Sequence, residues 1–233
     1  MGNFLSAIVE QMDRSTAGSE DTARRVLQMC KGSPKNALFF GDDVFTPRLI
    51  AETTGAALLA TFGERFRAES AAASGLDART VGAYEVTKTD GGWDFIWYNG
   101  LTEPDGVSRR LEQIRGALSD GGTAVFRTLC WLIDPSLDTK SYIERRFGRP
   151  EPLDEVLRQA KEQGFLIEDF YIAPKSDWRR NFYEPMSELV RKLEGAVIED
   201  DTASGIGEFN KEVYMFDLHS AEYSLVYYVL KAK

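Results

Sequence analysis

Two cysteines, one histidine and an aspartate pair behind a glycine are the residues of this chain that first invite a chemical reading. Cys130 closes an apolar run, and a cysteine nucleophile needs an electropositive setting with a base beside it. Arg127 is near in sequence, but strand alternation puts it on the opposite face, so Cys130 reads as a buried structural thiol. His219 stands near a helix end, where it is either a general base or a residue that only caps and packs. No Ser/His/Asp or paired-carboxylate arrangement follows from the spacing. One histidine, with Cys30 and Cys130 a hundred positions apart, supplies no zinc set and no CxxC, so no metal is expected. The same cysteine usage fits a reducing compartment, and a cytoplasmic location is expected.

A second group is aromatic and polar. Tyr98, Asn99, Cys130, Trp131, Trp178 and Tyr183 all fall at or beyond the carboxyl ends of predicted strands, where ligands bind in open α/β sheets. They read either as the lining of a small-molecule pocket or as aromatics that close the core. The third group is Gly41-Asp42-Asp43, at the end of an apolar run and before a helix start. Acids there already satisfy the helix dipole and argue against a bound pyrophosphate. No GxGxxG occurs anywhere.

These residues have to be placed by an alternation of strands and helices. Ser19 is a plausible N-cap for a helix running to about Cys30. Apolar runs at 37–41, 56–62, 80–86, 93–98, 123–130, 165–172 and 223–231 read as strands. Between them, 46–54, 65–74, 107–118, 141–147, 153–163, 184–193 and 208–219 read as helices. Thr46-Pro47 has the pattern of an N-cap followed by proline at the first helical position. Residues 119–122 read as a tight turn and 200–207 as a polar loop. Alternating β and α units call for a parallel sheet covered on both faces.

Composition sets outer bounds. The chain has 233 residues and a formal net charge of −9, so a phosphate backbone is repelled and no nucleic-acid partner is expected. The pairs Arg145-Arg146 and Arg179-Arg180 read as solvated surface. No apolar run is long enough for a membrane span.

Five segments then carry a family likeness: Gly18-Ser19-Glu20-Asp21-Thr22, Ser74-Gly75-Leu76, Trp93-Asp94-Phe95-Ile96-Trp97, the run from Ala117 to Phe126, and Trp178 through Pro185 with the closing strand. In this order they resemble the class I S-adenosylmethionine methyltransferases, the small-molecule members in particular. The resemblance implies a Rossmann-like α/β fold with a seven-stranded, mostly parallel sheet, helices on both faces and an antiparallel last strand. It implies one domain over 1–233, with an N-terminal helical cap (1–33), a cofactor-type half (34–133) and a substrate-type half (134–233). The cofactor positions it implies are Gly41, Asp42, Asp43, Thr61, Phe62, Glu85, Tyr98 and Asn99, with Cys130, Trp131, Trp178 and Tyr183 around the substrate.

Against that pattern the cofactor loop departs. Where the family has an acid and three glycines, this chain has Phe39, Gly41, Asp43 and Phe45. The ribose-binding acid falls at Thr61 or Phe62, and the adenine-facing acid falls near Val86-Thr87, with Glu85 and Asp90 the nearest carboxylates. Each lost charge-assisted hydrogen bond is worth about 1.5–3 kcal/mol, so losing two weakens binding by roughly two to four decades. The expected function is a methyltransferase-like protein with a degenerate cofactor site, acting as a non-catalytic partner subunit or a small-ligand binder. The alternative is an active small-molecule methyltransferase using S-adenosyl-L-methionine through a divergent loop. Partners are a small molecule or a protein chain, a related methyltransferase or a second copy, and no membrane. Phe45 is expected to pack into or over the adenosyl groove, with Asp42 and Asp43 capping the helix behind it.

Overall fold

The computed structural model describes residues 8–82, 85, 92–194 and 200–233. Strand β1 (Asn36–Gly41) leads through α2 (Phe45–Thr54), β2 (Ala57–Phe62) and α3 (Arg65–Ala73) to β3 (Asp77–Thr80), after an opening helix α1 (Glu20–Met29). The chain then returns to β4 (Trp93–Asn99), α4 (Val107–Ala117) and the long β5 (Leu118–Trp131). Next come α5 (Leu137–Phe147), the two-residue β6 (Glu151–Pro152), α6 (Leu153–Glu162) and β7 (Phe165–Ile172). A short α7 (Lys175–Trp178), a π-helical turn (Arg179–Tyr183), α8 (Glu184–Glu194), α9 (Asp200–His219) and β8 (Tyr223–Ala232) complete it.

The sheet runs in the order β3-β2-β1-β4-β5-β8-β7, with β6 paired to β5. Strands β1 to β5 pair in parallel, while β8 is antiparallel to both β5 and β7. This is the topology that the methyltransferase resemblance implies. Strand order reverses between β1 and β4, and that reversal opens a crevice beyond their carboxyl ends, at Gly41 and Asn99.

Alternation divides the core in two. Phe39, Phe62, Trp97, Val125, Leu129 and Tyr227 belong to one apolar layer, and Leu38, Tyr98, Phe126, Cys130 and Tyr228 belong to the layer on the opposite face. Burying each large side chain contributes on the order of 1.5–3 kcal/mol, so both faces hold the sheet in register. Among the described residues no helix is long and apolar enough to cross a membrane.

Four local expectations need correction. The third strand lies at Asp77–Thr80, not 80–86; within 80–86, residues 83, 84 and 86 lie outside the described set. It is a mostly exposed edge strand, so it lacks the apolar run that marks a central one. Thr46 is not the N-cap: α2 begins at Phe45, and the Asp43 carboxylate accepts from the Thr46 N–H at 2.7 Å instead. Residues 200–207 are helical, not a loop, because α9 buries Ile206 and Phe209 despite two glycines. At 119–122 the chain leaves the β4–β5 ladder inside β5, turning on Gly121 at φ +69°, so the predicted turn sits within the strand.

Gly41 is held to a bare Cα by its neighbour. A Cβ there would stand 2.2 Å from Cζ of Phe39, whose ring is fully buried and has nowhere to retreat. Gly41→Ala is therefore expected to cost about 1–3 kcal/mol in urea denaturation. Combining it with Phe39→Leu should recover part of that loss, as a coupling of about 1 kcal/mol or more. A neutral Gly41→Ala variant contradicts the packing.

Candidate functional site

The crevice at the β1/β4 reversal is roofed by residues 14–19. Ser15 donates its N–H to the Asp42 carbonyl at 3.2 Å, and Arg14 forms an antiparallel bridge with Asp43. The Thr16 hydroxyl donates to the Asp42 carboxylate, and the Arg14 guanidinium donates to the Gly18 carbonyl. Arg14 also lies over the Phe45 ring, 4.6 Å from its centroid. Phe45 is half-buried beneath that guanidinium, at the mouth of the crevice.

Beneath the roof is a buried ionic cluster. Arg127, from the middle of β5, donates to Asp42 Oδ1 at 3.1 Å, to the Gly100 carbonyl at 3.0 Å and to the Ala17 carbonyl at 3.4 Å. Burial pulls its pKa down, but Asp42 and Tyr227 more than offset that and hold it charged. Asp43 is buried, accepting from Thr46 N–H at one oxygen and from Asn99 Nδ2 at 3.2 Å at the other. Asn99 in turn accepts from Trp97 Nε1 at 2.7 Å. Desolvation, reinforced by Asp42, pushes the Asp43 carboxyl up to about 6. The roof, Asp42, Asp43 and Arg127 leave a void of about 10 Å³ between them, on the order of one water molecule.

The base of the crevice is apolar. The rings of Phe39 and Phe62 meet at 5.7 Å, both fully buried. The Thr61 hydroxyl donates to the Phe39 carbonyl at 2.6 Å.

Of the sequence-named positions, Gly41, Asp42, Asp43 and Asn99 therefore meet in one place, with Thr61 and Phe62 beside them. Only one of the two aspartates caps α2: Asp43 does so, while Asp42 is engaged by Arg127 and Thr16. Glu85 is exposed and accepts from the Gly82 N–H at 3.3 Å in a local turn; Asp90 lies outside the described residues. Tyr98 points to the opposite layer, stacked between Phe40 and Phe126 and bonded to Glu103. Cys130 shares that layer, its thiol 3.1 Å from the Tyr228 hydroxyl and pushed up to about 12 by burial. Neither faces the crevice, so the grouping of Tyr98 with Asn99 and of Cys130 with Trp131 is split by alternation. Trp131 packs edge-on to Tyr223 in the crevice-side layer. His219 bonds Glu222 at 2.7 Å through Nδ1 and clamps the α9–β8 turn. Among the described residues no cluster of three or more His, Cys, Asp or Glu fits a metal ion.

Trp178 and Tyr183 lead to a separate feature. A pocket of about 270 Å³ opens beside the roof, with Trp178, Phe182, Met186, Phe147 and Leu101 among its walls. Trp178, Phe182 and Met186 recur every four residues through the π turn, which places all three on one face. At its polar end lie Arg146 and Glu212, where Arg146 Nε donates to Glu212 Oε2 at 2.7 Å. Tyr183 donates to the other Glu212 oxygen at 3.2 Å. Arg146, with 19% side-chain exposure, is not the solvated surface residue its pairing with Arg145 suggested; burial of Glu212 draws it in.

Sequence reasoning missed Arg127 as a site residue, as well as Arg14, Arg146 and Glu212. Arg127 had a signal: it is the one charge inside an otherwise uncharged strand segment, 123–131. Glu212 had none, being one of many acids in a helix.

No family model matches the chain, and no curated protein matches it. Solved structures do. A SAM-dependent methyltransferase from Geobacter sulfurreducens, in complex with S-adenosyl-L-homocysteine, matches with a TM-score of 0.81 over 98% of each chain, at 14% identity. The fold is that of the SAM-dependent methyltransferases. A second such enzyme, from Thiobacillus denitrificans and also in complex with S-adenosyl-L-homocysteine, gives 0.77 over 98% of each chain at 12% identity. The cyclopropane synthase MmaA2 of Mycobacterium tuberculosis gives 0.67 at 14% identity, with 99% of this chain and 94% of that one covered. At these identities the likeness is one of fold.

The position of Asp43 makes stability depend on pH. With a folded pKa of about 6 and an unfolded value of about 3.9, the folded chain holds the extra proton between these limits. The Asp43 contribution therefore falls as pH rises from about 4 through 6, by on the order of 2 kcal/mol. In urea denaturation, Asp43→Asn should gain on the wild type by about that much between pH 4.5 and pH 7.5. A pH-independent difference between the two proteins contradicts the assignment.

Proposed function

We propose that this chain is a methyltransferase-fold protein that does not use S-adenosylmethionine, and that it binds a small molecule in the pocket beside the closed crevice. The observation that carries the reading is that the roof, the loop after β1 and Arg127 leave only about 10 Å³ between them, against the roughly 300–1,000 Å³ that ligand pockets offer. The residues present do not fit the cofactor. The Phe39 ring crosses Gly41, Phe62 belongs to the core, and the Thr61 proton is already given to a carbonyl. None of them supplies a carboxylate for ribose hydroxyls.

Opening the crevice has a cost of its own. Lifting residues 14–19 separates Arg127 from Ala17 and Thr16 from Asp42, uncovering the buried Arg127–Asp42 pair. Each of these two hydrogen bonds involves a charged group and is worth about 1.5–3 kcal/mol, so losing even one lowers apparent affinity by roughly one to two decades. The exposed Leu166, Phe170 and Ile172 of edge strand β7 favour a partner surface, whereas the enclosed pocket favours a small ligand.

One observation supports the alternative, an active small-molecule methyltransferase with a divergent loop. The pocket shares Thr16 and Ala17 with the crevice, and a substrate next to a methyl donor needs such adjacency. Calorimetric titration separates the two readings. Neither S-adenosylmethionine nor S-adenosylhomocysteine is expected to bind with a dissociation constant below about 1 mM. A constant in the low micromolar range overturns the proposal in favour of the enzyme.

A further inference from the structure

The polar end of the pocket has an imbalance that specifies a ligand. Both Glu212 oxygens already accept a hydrogen bond, one from Arg146 Nε and one from the Tyr183 hydroxyl. The hydroxyls of Ser15 and Thr16, also in the lining, donate their protons away, to Glu64 and Asp42. Arg146 is different. Its guanidinium is fixed by the Nε bond and by stacking over Phe147, 5.1 Å from the ring centroid. Among the described residues, neither of its Nη groups has a hydrogen-bond partner. The pocket therefore has unused N–H donors in a planar fork at one end and apolar walls along the rest.

We infer that the pocket takes a small monocarboxylate with an aromatic or branched apolar body, its carboxylate bonded to the two Nη groups of Arg146. A planar guanidinium fork matches a carboxylate in two parallel bonds, a geometry no neutral oxygen reproduces. A body lying along Trp178, Phe182, Met186 and Leu101 removes apolar surface from water on both sides. A volume of about 270 Å³ holds on the order of ten to fifteen non-hydrogen atoms at interior packing density. A cation of the same shape meets the Arg146 charge at contact distance. The inference rests on the ligand-binding role proposed for the same pocket, and it adds the ligand's class.

Three compounds with one skeleton test it: 3-phenylpropionate, its methyl ester and 3-phenylpropylamine, titrated by calorimetry into the full chain. The acid is expected to bind in the range of about 0.1–1 mM, in line with the usual affinity per atom of a ligand this size. The ester and the amine should bind at least tenfold more weakly. Arg146→Lys keeps the charge without the fork and should weaken the acid by about tenfold. Leu101→Trp, which fills the pocket from the apolar side, should abolish binding while Arg146 stays in place. Ester or amine binding as tightly as the acid, and lost in Leu101→Trp, overturns the carboxylate assignment but keeps the pocket as a ligand site. Absence of binding by all three overturns both the assignment and the ligand-binding role.

Discussion

The buried guanidinium of Arg127 is the interaction on which the upper half of this structure depends. An unpaired charge under a sheet's carboxyl edge is far too costly to keep, so its donors must find acceptors. They find them on three separate segments: Asp42 after β1, Gly100 after β4 and Ala17 in the roof. One side chain thereby ties together the two loops that flank the strand-order reversal and the segment that covers them. The small void in the crevice follows from this, because each segment is drawn inward by the same group. Asp43 extends the tie into α2 through the Thr46 N–H and into β4 through Asn99.

Beneath this polar cluster the apolar residues act in the same direction. By the family resemblance Phe39 stands at the position of an acid and Phe62 at or beside another, the ribose-binding acid falling at Thr61 or Phe62; both rings join the core. Polar closure above and apolar filling below are independent devices with one effect. Both act at the β1/β4 reversal, in the middle of the sheet. The larger pocket lies to the side, between the π turn and the end of α5.

Much of the fold was legible because it rests on local signals. The apolar runs of β1, β2, β4 and β8 and the N-cap at Ser19 each specify their own element, and their order specifies the sheet. Legibility failed where packing overrides local preference. Gly205 and Gly207 argue against a helix, yet α9 forms because Ile206 and Phe209 reach the core. Edge strand β3 has no apolar run, since little of it is covered. At the site, Gly41, Asp42, Asp43 and Asn99 were readable from their place at strand ends. Tyr98 and Cys130 were misplaced, because an end-of-strand position says nothing of which face a side chain takes until the register is fixed. Arg146 and Glu212 come together from α5 and α9, a pairing that no spacing in one sequence encodes.

The most direct measurement is a crystal structure determined from crystals grown with millimolar S-adenosyl-L-homocysteine. The expected result is the Phe39 ring across Gly41, Arg127 bonded to Asp42 and to the Ala17 carbonyl, and no nucleoside density between them. Adenosyl density in the crevice, with residues 14–19 displaced and Arg127 released from Ala17, contradicts it.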